Sequence, residues 1–440
     1  MITFVPDPGL LESPRGRDWP VLPAVRSAAG RPPESADVVV VGAGPAGLAV
    51  AAALWHHGVR DVVLLDRDGV PAHRFFRRID RLGQRVLRSP YEHHPGVEGY
   101  RDCELLDFAR LHWGLLTPVE RREIRMAQAG HRSVVPVDVF EAYCRHLVAS
   151  HRIGERLWRA EVREVRPGTD SVTVTGAGFT TTARHVVLCT GEQRRDAPDD
   201  WWGGGIAPPG VGYWDEPVPA GSGGLAVIGA GLTAAHLIAD GLAAGRRVHW
   251  IVREPGERYQ CADVNSAFFR PEGRSRFESV GRRDRLELMA RYRRASIMFE
   301  FRPSLQRAEA EGRLVVHRGL AVAGIAAGPR VRLADGTRIG ADHVVLALGT
   351  TPAAEAALLP PEVAAARDGW PDLDERDLSY RRAPRVSAVG AAAAMVLGPA
   401  ARNIDGHRVA TARVAAAVTA FLRRGSPVQE TARERVMTGV

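Results

Sequence analysis

The chain has 440 residues, of which 45% are hydrophobic and 25% charged, and its formal net charge is +8. That is the balance of a globular enzyme of two or three domains. No apolar run reaches the ~20 residues a membrane span needs, and all 59 basic residues are arginines interspersed with acids, a solvated surface and not a nucleic-acid interface.

The first stretch, MITFVPDPGLLESPRGRDWP, lacks the basic-then-apolar pattern of a secretion signal, so a cytoplasmic protein is expected. Residues 1–36 are rich in Pro, Arg and Gly and read as an extended arm draped over a neighbouring surface. A strand, glycine turn, helix and second strand follow in DVVVVGAGPAGLAVAAALWHHGVRDVVLLDRD, Asp37 to Asp68. Residues 69–100 are loop-rich around RLGQRVLRSPYEHHPG. Helical patterning appears in LLDFARLHWGLL and PVDVFEAYCRHLVASH. Period-two alternation and a Pro-Gly turn before HVVLCTG predict a hairpin feeding a short buried strand. Residues 192–223 are turn-rich and read as a linker. A second βαβ unit runs from Leu225 to Glu254, and a long polar insertion, 255 to about 295, comes after it. Then come a helical segment, SLQRAEAEGRL, short strands ending in HVVLALGTTPA, and a strand, glycine turn and Ala-rich helix to Arg424. The only internal similarity is between the two nucleotide units, and HVVLCTG and HVVLALG echo one another at their ends.

The glycines carry the chemistry. Gly42, Gly44 and Gly47 form G-x-G-x-x-G directly after a Val-rich strand. The first permits the tight turn, the second lets a pyrophosphate approach the backbone, and the third lets helix and strand pack closely. Asp66, at the end of the second strand, suits the ribose hydroxyls of an adenosine. The second unit has Gly229, Gly231 and Ala234, with Arg253 where the first has its acid. An acid there would repel a 2′-phosphate, whereas arginine pairs with it. The first site therefore suits a dinucleotide with a free 2′-hydroxyl and the second NADPH. Two dinucleotides in one chain imply hydride transfer between them, so the permanent one is expected to be FAD. Cys103, Cys144, Cys189 and Cys261 include no close pair, which argues against a disulfide framework, a zinc site and a dithiol redox centre.

The full pattern resembles the flavoproteins with two dinucleotide-binding domains. It comprises the first glycine motif with Asp66, CTG at Cys189–Gly191, the second nucleotide unit, LALGTTP at Leu346–Pro352 and VSAVGAAAA from Val386. The resemblance implies an α/β fold, a Rossmann-like FAD-binding domain with an inserted Rossmann-like NADPH-binding domain. The expected bounds are 1–36 for the arm, 37–218 and 330–425 for the FAD-binding domain, 219–329 for the NADPH-binding domain, and 426–440 for a tail. With no dithiol, the better match is to class B flavin-dependent monooxygenases similar to amino-acid and diamine N-hydroxylases. These carry a comparable insertion with Asp263, Asn265, Phe268 and Pro271 as counterparts. The chain departs from the pattern in lacking F-x-G-x-x-x-H between the domains and in reading GAGLTAAH at the second glycine turn.

The resemblance implies oxygenation of a small-molecule nitrogen or sulfur by molecular oxygen through a flavin C4a-hydroperoxide. The open alternative is an NADPH-dependent flavin oxidoreductase passing electrons to a quinone or protein partner. FAD contacts are expected at Gly42, Gly44, Pro45, Ala46, Gly47, Asp66, Arg67, Gln84, Arg85, Val162, Gly191, Gly390 and Asn403. NADPH contacts are expected at Gly229, Gly231, Leu232, Thr233, Arg253 and Gly349. Gln84 and Asn265 are the candidate catalytic residues, with Arg88, His93 and His94 near the same pocket. The arm could cross a subunit boundary, so a homo-oligomer is one expected assembly.

Overall fold

The structure, a computed structural model, describes residues 7–21, 27–97, 104–221, 223–352, 357–364 and 369–424; the expected tail 426–440 lies outside them. Two parallel sheets organise the chain. The first runs in the order Ser379–Tyr380, Ala383–Ala388, Phe179–Leu188, Ser35–Val41, Val62–Asp66, Leu157–Arg159. Its central strands are parallel, with Val38 opposite Val62 on one side and His185 on the other. Val38, Val39 and Val40 are wholly buried, so both faces of this strand are covered and neither has room for a polar residue. The helix Pro45–His56 is apolar nearly all round, and it is buried between this sheet and the final helix Ile404–Arg424. The predicted hairpin forms as Val162–Pro167 against Val172–Gly176, which then pairs with Phe179–Leu188.

The second sheet is wholly parallel, in the order Val211–Tyr213, His343–Leu346, Leu225–Ile228, Val248–Val252, Leu314–Arg318. It too has an antiparallel three-stranded appendage, Val322–Ala326, Arg330–Leu333 and Arg338–Gly340, just before its last strand. The echo between HVVLCTG and HVVLALG is thus structural. Each stretch forms a buried parallel strand beside the glycine-turn strand of its lobe, just before the chain crosses to the other lobe.

The expected bounds 219–329 need two corrections. The inserted sheet is wider, since it includes Val211–Tyr213 from the turn-rich linker and His343–Leu346 from beyond 329. The polar insertion also leaves that lobe. Val264, Phe268, Phe277, Leu288, Met289 and Tyr292 are buried in the core of the first lobe. Widely spaced apolar residues in a polar segment bury their side chains on whichever surface offers a complementary groove, and here that surface belongs to the flanking domain.

The described part of the arm touches both lobes: Leu10 is buried in the core of the inserted lobe, and the stretch after it is tied to the first. Arg17 pairs with Glu120 at 2.7 Å and Asp138 at 2.7 Å, and the Trp19 indole donates to Asp138 at 2.7 Å. No helix among the described residues is long and apolar enough to cross a membrane.

Two buried histidines make the fold acid-sensitive. His185 lies in the first sheet beside the Ser387 hydroxyl at 3.0 Å, and His236 packs edge-on against Phe301. Burial pushes both imidazoles down to about 4. In the unfolded chain they titrate near about 6.5, so as pH falls from there toward 4 the unfolded state takes up protons that the native state refuses. The stability present above that window is lost through it, by up to about 1.4 kcal/mol per pH unit for each group. Thermal melting from pH 7.5 to 4.5 should show a midpoint that falls below neutrality. His236→Leu should make that fall shallower, and an unchanged slope in the variant would remove His236 from the account.

Candidate active site

The strand Ser35–Val41 ends at Gly42, where φ is +102° and a Cβ would run into the Cys189 carbonyl. Gly47, one turn into the helix, would drive a Cβ into the Gly42 carbonyl. Gly44 differs, since a Cβ there meets nothing within 4 Å. The first turn of the helix, Pro45 and Ala46, therefore opens onto free space, and no side chain caps it. Unpaired N–H groups and the positive end of the helix dipole make this a seat for phosphates. At the lip, the Asp66 carboxylate accepts from the amides of Ala43 at 2.9 Å and Asp68 at 2.9 Å, with Arg67 exposed beside it. The Ala160 amide donates to the Asp66 carbonyl at 2.8 Å, which brings half-buried Val162 to the same edge. Gly191 and Gly390 follow the adjacent strands Phe179–Leu188 and Ala383–Ala388. Three glycine turns thus line the carboxyl end of one sheet, the place where open α/β sheets bind ligands.

The second lobe repeats the device. At Gly229 φ is +142° and a Cβ would strike the Ala347 carbonyl, while the Trp250 indole donates to the Gly229 carbonyl at 2.6 Å. Gly231 faces open space, as Gly44 does, and Leu232 and Thr233 form the partly exposed first turn. Ala234 is buried where the first lobe has Gly47, and Gly349 follows its strand as Gly191 follows its own. Arg253 stands exposed one residue beyond Val248–Val252.

The insertion packs on the first lobe as a roof beside the segment that leads into the final helix. Arg88, buried, donates to the Ser296 carbonyl at 3.1 Å, the Ser296 hydroxyl at 3.0 Å and the Gln260 carbonyl at 2.8 Å. Asp263 sits between Arg293 at 2.6 Å and Arg88 at 3.6 Å. Arg293 also reaches the Pro399 carbonyl at 3.0 Å and the Asn403 side-chain oxygen at 3.4 Å. Burial pushes the Arg293 guanidinium down to about 10 although Asp263 opposes the shift. Three segments far apart in sequence, the loop with Arg88, the insertion, and the entry to the final helix at Asn403, are therefore tied by one charged cluster.

The two candidate catalytic residues each make a local hydrogen bond. Asn265 is exposed, and its side-chain oxygen accepts from the Ala267 amide at 3.0 Å, capping the short helix Ser266–Phe269. Its acceptor is committed to a turn, the commonest use of asparagine before a helix. The Gln84 amide donates to the Val86 carbonyl at 2.7 Å and so holds its own loop, with Arg85 exposed next to it. His94 is fully buried beside the Tyr143 hydroxyl at 3.4 Å, a packing position. His93 faces Asp405, in the first turn of the final helix, at 3.7 Å, and burial pushes its imidazole below the ordinary range. Phe268 is buried in the roof and Pro271 opens its helix Pro271–Glu278. Sequence reading missed Arg293, Arg402, Glu192 and Thr350. The last two carried a signal, since each follows the glycine of one echoing strand.

A family model described as pyridine nucleotide-disulphide oxidoreductase matches residues 36–270. No curated protein matches the sequence. Among solved structures, the chain is similar to the reduced form of ornithine hydroxylase from Pseudomonas aeruginosa, with 18% identity, a TM-score of 0.69, and coverage of 88% of this chain and 100% of that one. It is similar to ornithine N-hydroxylase from Kutzneria sp. 744, solved with reduced FAD, NADP+ and L-ornithine, with 19% identity, a TM-score of 0.68, and coverage of 89% and 100%. It is also similar to bacillithiol disulfide reductase from Bacillus cereus, with 16% identity, a TM-score of 0.59, and coverage of 88% and 99%. At such identities the likeness establishes a shared two-lobed fold. The family match spans more than half of the chain, from the first glycine turn through the second, and the protein belongs to the pyridine nucleotide-disulphide oxidoreductase family.

Proposed function

We propose that the protein is an FAD- and NADPH-dependent monooxygenase that N-hydroxylates an amine or amino acid. The observation that carries this reading is the roof. Residues from Cys261 to Ser296 leave the inserted lobe and pack on the first, tied through Arg88, Asp263 and Arg293 to the loop at Arg88 and the entry to the final helix. A reductase working through an enzyme dithiol would need a close cysteine pair at the flavin. The sequence has no close cysteine pair, and Cys144 and Cys189 are buried and unpaired. The fold shared with two ornithine hydroxylases supports the same reading.

The residues fit both cofactors. Gly44 and Gly231 leave space that a side chain would fill, each beside an uncapped helix start. The first turn at Pro45–Gly47 would hold the FAD pyrophosphate, Asp66 the ribose, and Gly191, Gly390 and Asn403 would border the ring. Leu232 and Thr233 would hold the NADPH pyrophosphate and Arg253 the 2′-phosphate. When bound, FAD would relay hydride electrons from NADPH to dioxygen. The protein's own work is then to orient and to dry the site. Arg88, bonded on both sides of the loop, fixes the wall, and the buried aromatic residues Phe268 and Tyr292 exclude water beneath the roof.

A screen of amines, amino acids and thioethers should find an amine that stimulates NADPH oxidation and yields hydroxylamine in step with it. Hydrogen peroxide released in full proportion to NADPH with every compound would sink the reading in favour of electron transfer to a separate acceptor.

Two substitutions test the cradles. Gly44→Val adds its side chain where the protein leaves space, so the variant should fold with an unchanged melting profile as apoprotein and yet purify without flavin absorbance. Retained yellow colour would contradict the assignment. Arg253→Ala removes one charge-assisted contact, worth about 1.5–3 kcal/mol, and the preference for NADPH over NADH should fall by roughly 10- to 100-fold. An unchanged ratio of kcat/KM values would place the 2′-phosphate elsewhere.

A further inference from the structure

Besides the fold-back of the insertion, two chain crossings join the lobes, and these pair as a small antiparallel ribbon. Thr350 lies opposite Arg194, and Thr351 opposite Gln193. The Arg195 amide adds a bond to the Gly349 carbonyl at 3.0 Å. On the first lobe's side the ribbon is held at Glu192. Arg74 and Arg78 donate to its carbonyl at 3.1 and 3.3 Å. Arg402, in the loop just before the final helix, pairs with its carboxylate at 2.6 Å and also contacts the Thr350 hydroxyl, which itself donates to the same carboxylate oxygen at 3.0 Å. One guanidinium thus grips both strands. On the inserted lobe's side the ribbon is held at Arg194. That residue pairs with Asp215 at 3.3 Å and Glu216 at 2.6 Å and lies over the Tyr213 ring at 3.8 Å. Residue 192 is fastened to one lobe and residue 194 to the other, with Gln193 alone between the two anchorages.

The geometry assigns to Arg402, with Glu192 and Thr350, the role of a positioning residue for hydride transfer. The node sets the angle between the lobes and so the approach of one bound dinucleotide to the other. This rests on the cofactor assignment above, and not on oxygenation. Four features carry it. Arg402 spans both crossings. Its ion pair is sheltered, with side chains only 22% and 19% exposed, so solvent screens it less than a surface pair. It is adjacent in sequence to Asn403, which takes the Arg293 bond from the roof. The node's side chains sit next in sequence to the cradle residues Gly191, Gly349 and Asn403 but are not among the assigned cofactor contacts, so it acts on geometry more than on cofactor affinity. Hydride transfer is steep in donor–acceptor distance, and a displacement of about 1 Å costs on the order of 100-fold.

The test is anaerobic rapid mixing of the FAD-loaded protein with NADPH. Arg402→Met should slow flavin reduction by about 10- to 100-fold, with the NADPH dissociation constant within about threefold of the parent. Reduction by dithionite should be unaffected, and Arg402→Lys should recover part of the rate. Hydrogen exchange should rise at the amides of residues 193–195 and 350–351 and stay unchanged in Pro45–His56 and Ile404–Arg424. If Arg402→Met loses its flavin, Thr350→Val and Glu192→Gln decide, each expected to slow reduction without weakening NADPH binding. A reduction rate at parental level in these variants, a loss confined to NADPH affinity, or exchange rising throughout the first lobe would overturn the proposal. Failure of the parent protein to be reduced by NADPH would instead strike the cofactor assignment itself.

Discussion

The structure depends on a backbone-to-backbone contact made twice. At Gly42 and at Gly229 the chain turns so close to the end of the adjacent strand that the Cys189 and Ala347 carbonyls occupy the place of a side chain. Because each turn is pressed against its sheet, the helix behind it starts at the sheet's carboxyl edge, with its first N–H groups pointing into the open. The remaining features of the two cradles follow from that. Gly44 and Gly231 border empty space, Asp66 and Arg253 stand at the lips, and the next strand of each sheet delivers a further glycine. Two equal seats with opposite charges at the lip, fastened in one chain, form an arrangement suited to passing electrons from one nucleotide to another.

The second constraint is the fold-back of the insertion. It places an arginine–aspartate–arginine cluster across three segments far apart in the sequence. A buried guanidinium such as that of Arg88 is costly unless matched, and here the half-buried Asp263 is shared by Arg88 and Arg293, while the arginines find further carbonyl acceptors. The cluster therefore specifies how the roof sits.

What could be read in advance was what is local. The glycine motifs, the acid and the arginine at the strand ends and the hairpin before HVVLCTG all lie within a few residues of their physical cause. The bounds of the inserted lobe could not be read the same way. Val211–Tyr213 looks like linker because a three-residue strand has no period to detect, and His343–Leu346 belongs to a sheet whose other members end well upstream. Nor could the destination of Phe268, Phe277 and Tyr292 be seen, since nothing in their spacing says which lobe will cover them. Asn265 caps the turn that follows it, a local property of asparagine before a short helix.

The order of strands in the first sheet has a consequence for biosynthesis. Phe179–Leu188 has Ser35–Val41 on one side, but its other neighbour, Ala383–Ala388, is made only after the whole inserted lobe. As the chain emerges from the ribosome, the inner lobe can close on itself while the outer one still shows a bare edge of hydrogen-bonding groups, the kind of surface that recruits foreign strands. Premature termination anywhere before the last strand would leave that edge open for good. The outer lobe is thus the last to mature, although its glycine turn is the first to be synthesised.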